Sequence, residues 1–242
     1  MIDRPRISSL GDDCVTVDIG NEISIDLNSE AIALAARLNE FKFPGLVEAV
    51  PAYSSVSVFF DLAVVRRSVE QSETAWTSIT RYIDQALEDL PVNANENGRT
   101  VQIAVDFSEE VAQDLDRVAD FARMTRSEVI ELFTSKTYRV YMLGFLPGFA
   151  YMGEVDERIA IPRHESPRTS VPKGSVGIAG RQTGIYPFHS PGGWQIIGKT
   201  SDEMFSLNRE PNSLLMPGDE VRFVDDRNGA ESESLIDRVA SL

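Results

Sequence analysis

Between Tyr141 and Thr200 a glycine or proline recurs every few residues. Such punctuation suits short strands that bend and turn, and a curled β-barrel whose backbone approaches a ligand closely. The same segment is a basic island. Residues 161–200 hold Arg163, Arg168, Lys173, Arg181 and Lys199 against a single acid, Glu165, so they carry +4 in a chain of net charge −15 and leave −19 to the remainder. The global charge disfavours nucleic acid and anionic membrane surfaces as partners. The local field favours a small anion, a carboxylate or a phosphate, over the alternative in which these charges only pair with acidic neighbours.

With 242 residues and 42% hydrophobic side chains, the chain can bury one or two ordinary cores without disulfides. The single cysteine, Cys14, forms no internal bridge and reads as a small core residue. No apolar signal segment follows the charged opening MIDRPR, and no run approaches the length of a membrane span, so a soluble cytoplasmic protein is expected.

Upstream of the island the pattern is different. Val15, Val17 and Ile19 alternate with Cys14, Thr16 and Asp18, and Val56, Val58 and Phe60 with Ser55, Ser57 and Phe59, which is strand periodicity. Between them Ala31, Leu34, Ala35, Leu38 and Phe41 fall on one helical face, ended by Pro44-Gly45. A second helix is expected from a capping box at Ser68 and Gln71, with Trp76, Ile79, Ile83, Ala86, Leu87 and Leu90 buried up to Pro91. The polar tract from Asn93 to Arg99 is the expected linker. It divides an α+β N-terminal domain, 1–92, from a mainly-β domain, 99–242. The second domain opens with the strand VQIAV and two short helices, striped by Val111, Leu115, Val118 and Ala122 and by Val129, Ile130 and Phe133. The latter helix is capped by Thr125 and Glu128.

Gly193 to Thr200 matches the phosphate-loop pattern G-x4-G-K-[ST], but Ser190-Pro191-Gly192 stands where a strand should and Trp-Gln-Ile-Ile is itself strand-like, so a nucleotide cradle is not expected there. Ser175 beside Lys173 is a nucleophile candidate, but the pair offers no strand-to-helix turn of the kind that presents a nucleophilic serine, so a turn or strand serine is the plainer reading. Both histidines, His164 and His189, lie in the island. Two such ligands with only Glu165 nearby do not make a zinc site, so no metal is expected, while acid-base or hydrogen-bonding roles stay open beside a plain surface position. Arg163 and Arg168 each follow a proline and carry the fork that holds a carboxylate bidentately, or else bond barrel carbonyls. Tyr141, Phe145, Phe149, Tyr151, Tyr186, Phe188 and Trp194 supply the aromatic wall of a small-molecule pocket.

Six segments, Gly144 to Phe149, Pro162 to Arg168, Val171 to Val176, Gly184 to Pro187, Ser190 to Trp194 and Pro217 to Asp219, occur in the order seen in the allophanate hydrolase subunit 1 family. The chain resembles that family over nearly its whole length, with Ser-Leu-Gly-Asp12 and Val50 to Tyr53 adding to the likeness. The resemblance implies a cyclophilin-like β-barrel after the α+β domain. It also implies an ATP-dependent 5-oxoprolinase that opens 5-oxo-L-proline to L-glutamate, ATP and magnesium being used at the level of the complex. A subunit 2 homologue, and in some systems a third lactam-utilisation subunit, would be partners, the chain being unlikely to act alone. Arg163, Arg168, Lys173, Gln182, Tyr186, Phe145 and Trp194 would bind substrate, with Ser175 and His189 as catalytic candidates. The family also contains Kip-type inhibitors of a sporulation histidine kinase and the carboxyltransferase part of urea carboxylase and allophanate hydrolase systems, which are the alternative functions. Where the family often has a histidine near the end of the helix before Tyr138, this chain has Phe133 or Thr134.

Overall fold

The computed structural model describes residues 5–70, 72–90 and 98–228. It divides into two compact units, residues 1–98 and 99–242. The proposed linker from Asn93 lies almost wholly outside the described residues, as do Gln71 and Pro91.

The first unit is a four-stranded antiparallel sheet and three helices. Strands β1 (Arg6–Ser9), β2 (Cys14–Asp18), β3 (Leu46–Pro51) and β4 (Ser55–Phe60) lie in the order β1-β2-β4-β3. The alternation seen in the sequence is their core face: Val15, Val17, Val56, Val58 and Phe60 are buried with Ala31, Leu34, Ala35 and Leu38 of α1 (Ile25–Phe41). Cys14 is buried, and burial raises its thiol pKa.

The second half of this unit departs from the expected pattern. Ser68 does not open a helix: it is the last residue of a short helix, α2 (Leu62–Ser68), and its hydroxyl donates to the Val65 carbonyl at 2.8 Å. Asp61 caps α2 by accepting from the Ala63 and Val64 amides. The long helix, α3 (Ala75–Glu88), instead starts at Thr74, whose hydroxyl accepts from the Thr77 amide. Its buried face holds Ala75, Ile79, Ile83 and Ala86, whereas Trp76 is 43% exposed. Phe41 is likewise exposed, lying against Tyr82.

The second unit carries a seven-stranded sheet. Its strands are β5 (Thr100–Val105), β6 (Thr137–Leu143), β7 (Ala150–Gly153), β9 (Ser175–Ala179), β10 (Gln182–Ile185), β12 (Gln195–Lys199) and β13 (Glu220–Asp225), in the order β12-β9-β10-β7-β6-β13-β5. The two ends of that order meet. Past the end of β5, Asp106 donates to the Lys199 carbonyl at 2.8 Å and accepts from the Lys199 amide at 2.9 Å, so the sheet curls into a nearly closed barrel. Closure brings the strands close together at Gly198. A Cβ there would lie 2.6 Å from Val105 Cγ1, so only glycine fits.

Two further strands, β8 (Arg168–Val171) and β11 (Ser190–Gly192), pair as a separate ribbon. Helices α4 (Leu115–Ala122) and α5 (Arg126–Thr134) belong to the same unit, and Thr125 and Glu128 form the expected reciprocal capping box. Gly193 to Thr200 is not a phosphate loop. Its apolar run is β12, paired along β9, with turns rather than a helix beyond it.

Aromatic packing fixes α5 to the barrel. The Phe133 ring is fully buried and stacks 4.8 Å from Phe223, with Tyr138 at 5.1 Å and Phe107 at 6.4 Å. Of the two residues that the resemblance sets against a histidine, Phe133 is in the core, while Thr134 bonds back to the Ile130 carbonyl. Phe133→Ala is expected to cost about 3–5 kcal/mol, because the rigid ring surroundings cannot collapse onto the space left. Urea unfolding followed by circular dichroism measures this, and a loss below about 1 kcal/mol would contradict the packing described.

Asp156 ties the turn after β7 to Lys136, ahead of β6. The Arg158 side chain first, then the Arg158 amide and Lys136, hold its carboxyl well below the usual range. A carboxylate depressed in the folded state stabilises above the pKa of the unfolded chain, about 3.9 for Asp, and loses that contribution as pH falls through and below it. The stability gap between the parent and Asp156→Asn is therefore expected to be full at pH 7 and to narrow below about pH 5. A gap that stays constant or widens on acidification would show that the charge is not what holds the turn.

Candidate functional site

The polar centre of the second unit is a residue that the sequence hides. Asp114 occupies the position just before α4, where an aspartate ordinarily caps its own helix, yet it makes no cap bond. Its carboxylate turns instead toward β12 and the ribbon. Oδ2 accepts from the Ile196 amide at 2.6 Å, and the Asp114 amide donates to the Ile196 carbonyl at 2.8 Å, so side chain and backbone clasp one residue of β12. Oδ1 accepts from Arg168 Nη2 at 2.5 Å. With 4% of its surface exposed, Asp114 is a buried carboxylate held by one charged and one backbone donor.

His164 completes the cluster. Its Nε2 lies 2.8 Å from Arg168 Nη1 and 3.3 Å from Asp114 Oδ1, and its Nδ1 lies 3.4 Å from Arg117 Nη1 of α4. The His164 amide donates to the Gly193 carbonyl at 2.7 Å, which anchors the loop from Pro162 to Arg168 beside the start of β12. Gln195, fully buried, adds a second tie by donating to the Pro162 carbonyl, while its Oε1 finds no partner among the described residues.

An aromatic wall adjoins this cluster. The buried Phe149 ring is its hub, edge-on to Tyr151, Tyr186, Trp194 and Phe145 at 4.9, 5.4, 5.4 and 5.6 Å. Tyr186 packs so closely on the ribbon that a Cβ at Gly192 would lie 2.7 Å from its ring, and its phenol interacts with the Trp194 backbone and with the charge of Arg168. Burial dominates and raises the pKa of that phenol. Ile196 belongs to both halves: it packs in the aromatic cluster with Phe149, Val171 and Tyr186, and its amide is the one Asp114 clasps. Phe145 is 61% exposed and held at φ 69°, a left-handed conformation that a bulky residue adopts only where its surroundings compel it.

The structure thus brings together Arg168, His164, Tyr186, Trp194 and Phe145 of the sequence-derived candidates and adds Asp114 and Arg117. Arg163 is exposed, with no hydrogen bond or ion pair among the described residues. The remaining candidates stand elsewhere. Ser175 is 2% exposed on β9, opposite Lys199. Lys173 reaches Glu203 at 3.3 Å, not Ser175. Gln182 opens β10 opposite Gly153, and Arg181 pairs with Glu154. His189 is exposed, and its Nε2 lies 2.6 Å from the hydroxyl of Ser170, a serine that no sequence motif singles out. Pro217-Gly218-Asp219 is structural: the buried Asp219 accepts from Arg99 at 2.6 Å and from the Met216 amide. Among the described residues no group of three or more His, Cys, Asp or Glu could hold a metal ion, and no helix is long and apolar enough to cross a membrane.

The family model described as carboxyltransferase domain, subdomain C and D, matches residues 5–215. A 5-oxoprolinase subunit of Bacillus subtilis is 42% identical over 91% of this chain and 92% of its own length. The subunit of the same name from Haemophilus influenzae is 36% identical over 90% of this chain and 97% of its own length. Among solved structures, TTHA0988 superposes with a TM-score of 0.75 at 35% identity over 91% of this chain, which spans 40% of that longer protein. Over residues 5–215, which take in the barrel strands from β5 to β12, the ribbon and the clasped loop, this chain belongs to the family of carboxyltransferase domain subdomains C and D.

Proposed function

We propose that the chain is a subunit of an ATP-dependent 5-oxoprolinase and that its second unit, read as a cyclophilin-like barrel, binds 5-oxo-L-proline for ring opening to L-glutamate. One observation carries the reading: a cationic cluster built on a buried carboxylate lies directly against an aromatic wall. A substrate with one carboxylate on a compact five-membered lactam ring suits both, the carboxylate meeting the cations and the ring methylenes the aromatic wall. The identity to 5-oxoprolinase subunits over nearly their full length supports the same conclusion.

In this reading Arg168, with Arg163 at the exposed rim, receives the substrate carboxylate. Trp194, Tyr186 and Phe145 enclose the ring and exclude water, which strengthens every polar contact made inside. His189, paired with the Ser170 hydroxyl across the ribbon, is the candidate for moving a proton, while Ser175, buried in β9, is the weaker catalytic candidate. ATP and magnesium serve the complex. The phosphate-loop pattern at Gly193 to Thr200 is spent on a paired strand, so the nucleotide is assigned to the assembly with a subunit 2 homologue and a lactam-utilisation subunit, in the cytoplasm.

Coexpression with those partners tests the proposal. The purified assembly is expected to release ADP only when 5-oxo-L-proline is present, and to form glutamate in step. Arg168→Lys, which keeps the charge but loses the planar fork, is expected to raise KM for 5-oxo-L-proline about tenfold or more. An assembly that hydrolyses no ATP in response to 5-oxo-L-proline would sink the reading.

A further inference from the structure

His164 stands between two guanidinium groups and is short of acceptors. A guanidinium offers only donors, and an imidazole with one N–H offers one acceptor nitrogen. If Nε2 accepts from Arg168, then Nδ1–H faces the N–H of Arg117 at 3.4 Å, donor against donor. If Nδ1 accepts from Arg117, then Nε2–H turns to Asp114 Oδ1 at 3.3 Å and Arg168 Nη1 loses its acceptor. A doubly protonated ring accepts from neither. In every case at least one arginine N–H at His164 finds no acceptor in the ring and is left for solvent or a ligand.

The nearby carboxylates do not supply it. Asp114 has one oxygen on Arg168 and the other on Ile196. Asp116 of α4 is taken by Arg126 at 2.9 Å. Asp120 and Glu165 are exposed and form no ion pair among the described residues. Asp114 pairs with Arg168 alone, and Arg117 forms no ion pair among the described residues, leaving a positive charge unpaired beside Arg168, which stands opposite Gly192 in the ribbon.

We propose that Arg117 and Arg168 are the two arms of a clamp for one small carboxylate, whose oxygens accept from both guanidinium groups across His164. Asp114 is the positioning residue: it fixes the Arg168 fork through Nη2 and leaves its other donors for the ligand. This rests on reading the barrel as a substrate-binding unit and adds to it a ligand-binding role for Arg117. Arg163, adjacent in sequence, contributes field rather than a fixed contact.

The chain has only two histidines, so long-range proton-nitrogen correlation spectra of the full chain resolve His164 from His189. Addition of 5-oxo-L-proline is expected to move the His164 ring nitrogens saturably, and Arg117→Gln to reduce that response. Arg117→Gln, on an exposed helical position, is expected to weaken that binding about tenfold or more, whereas Arg126→Gln, with the same change in charge, does not. Asp114→Asn retains an oxygen for the Ile196 amide. It is expected to shift the ligand-free His164 signals and lower affinity, effects that a purely architectural role, confined to the melting temperature, would not produce.

Other outcomes separate the possibilities. Saturation by acetate without saturation by 5-oxo-L-proline supports the clamp and counts against the 5-oxoprolinase reading. Saturation by inorganic phosphate alone overturns the carboxylate assignment. Signals unmoved by any of the three, or Arg117→Gln indistinguishable from Arg126→Gln, overturns the clamp.

Discussion

A buried carboxylate must be paired or it is not tolerated, and in the second unit that requirement falls on Asp114. Its two oxygens and its backbone amide tie three things together: the start of α4, the Ile196 peptide of β12 and the Arg168 fork of the ribbon. Removing the arginine would leave an uncompensated charge at a site 4% exposed, a loss of about 3–5 kcal/mol by analogy with other buried pairs. The geometry of the ribbon and of the 162–168 loop follows from this pairing, because Arg168 orients His164 and the His164 amide then bonds Gly193. The cationic cluster is therefore rigid at its base and open at its rim, as a preorganised anion site needs to be.

Barrel closure sets the other wall. The double hydrogen bond between Asp106 and Lys199 brings β12 round to β5, with Gly198 sitting where no side chain fits. Closure holds Ile196 with one side in the aromatic cluster and its amide on Asp114. Polar and apolar halves of the site are thus joined through a single residue of one barrel strand, and the exposed Phe145 ring extends the apolar half toward solvent.

Much of this is legible in the sequence, for physical reasons that can be named. Glycine and proline spacing announces bending strands, and Thr125 with Glu128 announces a helix start, because those signals act within a few residues. Alternation at Val15, Val17, Val56 and Val58 announces a half-buried sheet. The start of the second helix is misleading because Ser68 looks like a cap but ends a short helix, while Thr74, six residues on, does the capping. Asp114 is hidden for a related reason: an aspartate before a helix reads as a cap, and only tertiary structure shows its carboxylate reaching Ile196, 82 positions away. Ser175 draws attention through its neighbour Lys173, yet strand geometry buries one and sends the other to Glu203. Ser170, silent in sequence, meets His189 only across the ribbon.

The central claim is that Asp114 holds a cationic clamp against an aromatic wall and that a small carboxylate with a compact ring occupies the angle between them. A crystal structure of the chain with 5-oxo-L-proline measures this directly. The account predicts carboxylate density in contact with both Arg117 and Arg168, the ring lying along Trp194, and Asp114 unchanged on Ile196 and Arg168. Ligand bound away from these residues, or an Asp114 carboxylate released from Arg168 when ligand binds, would contradict it.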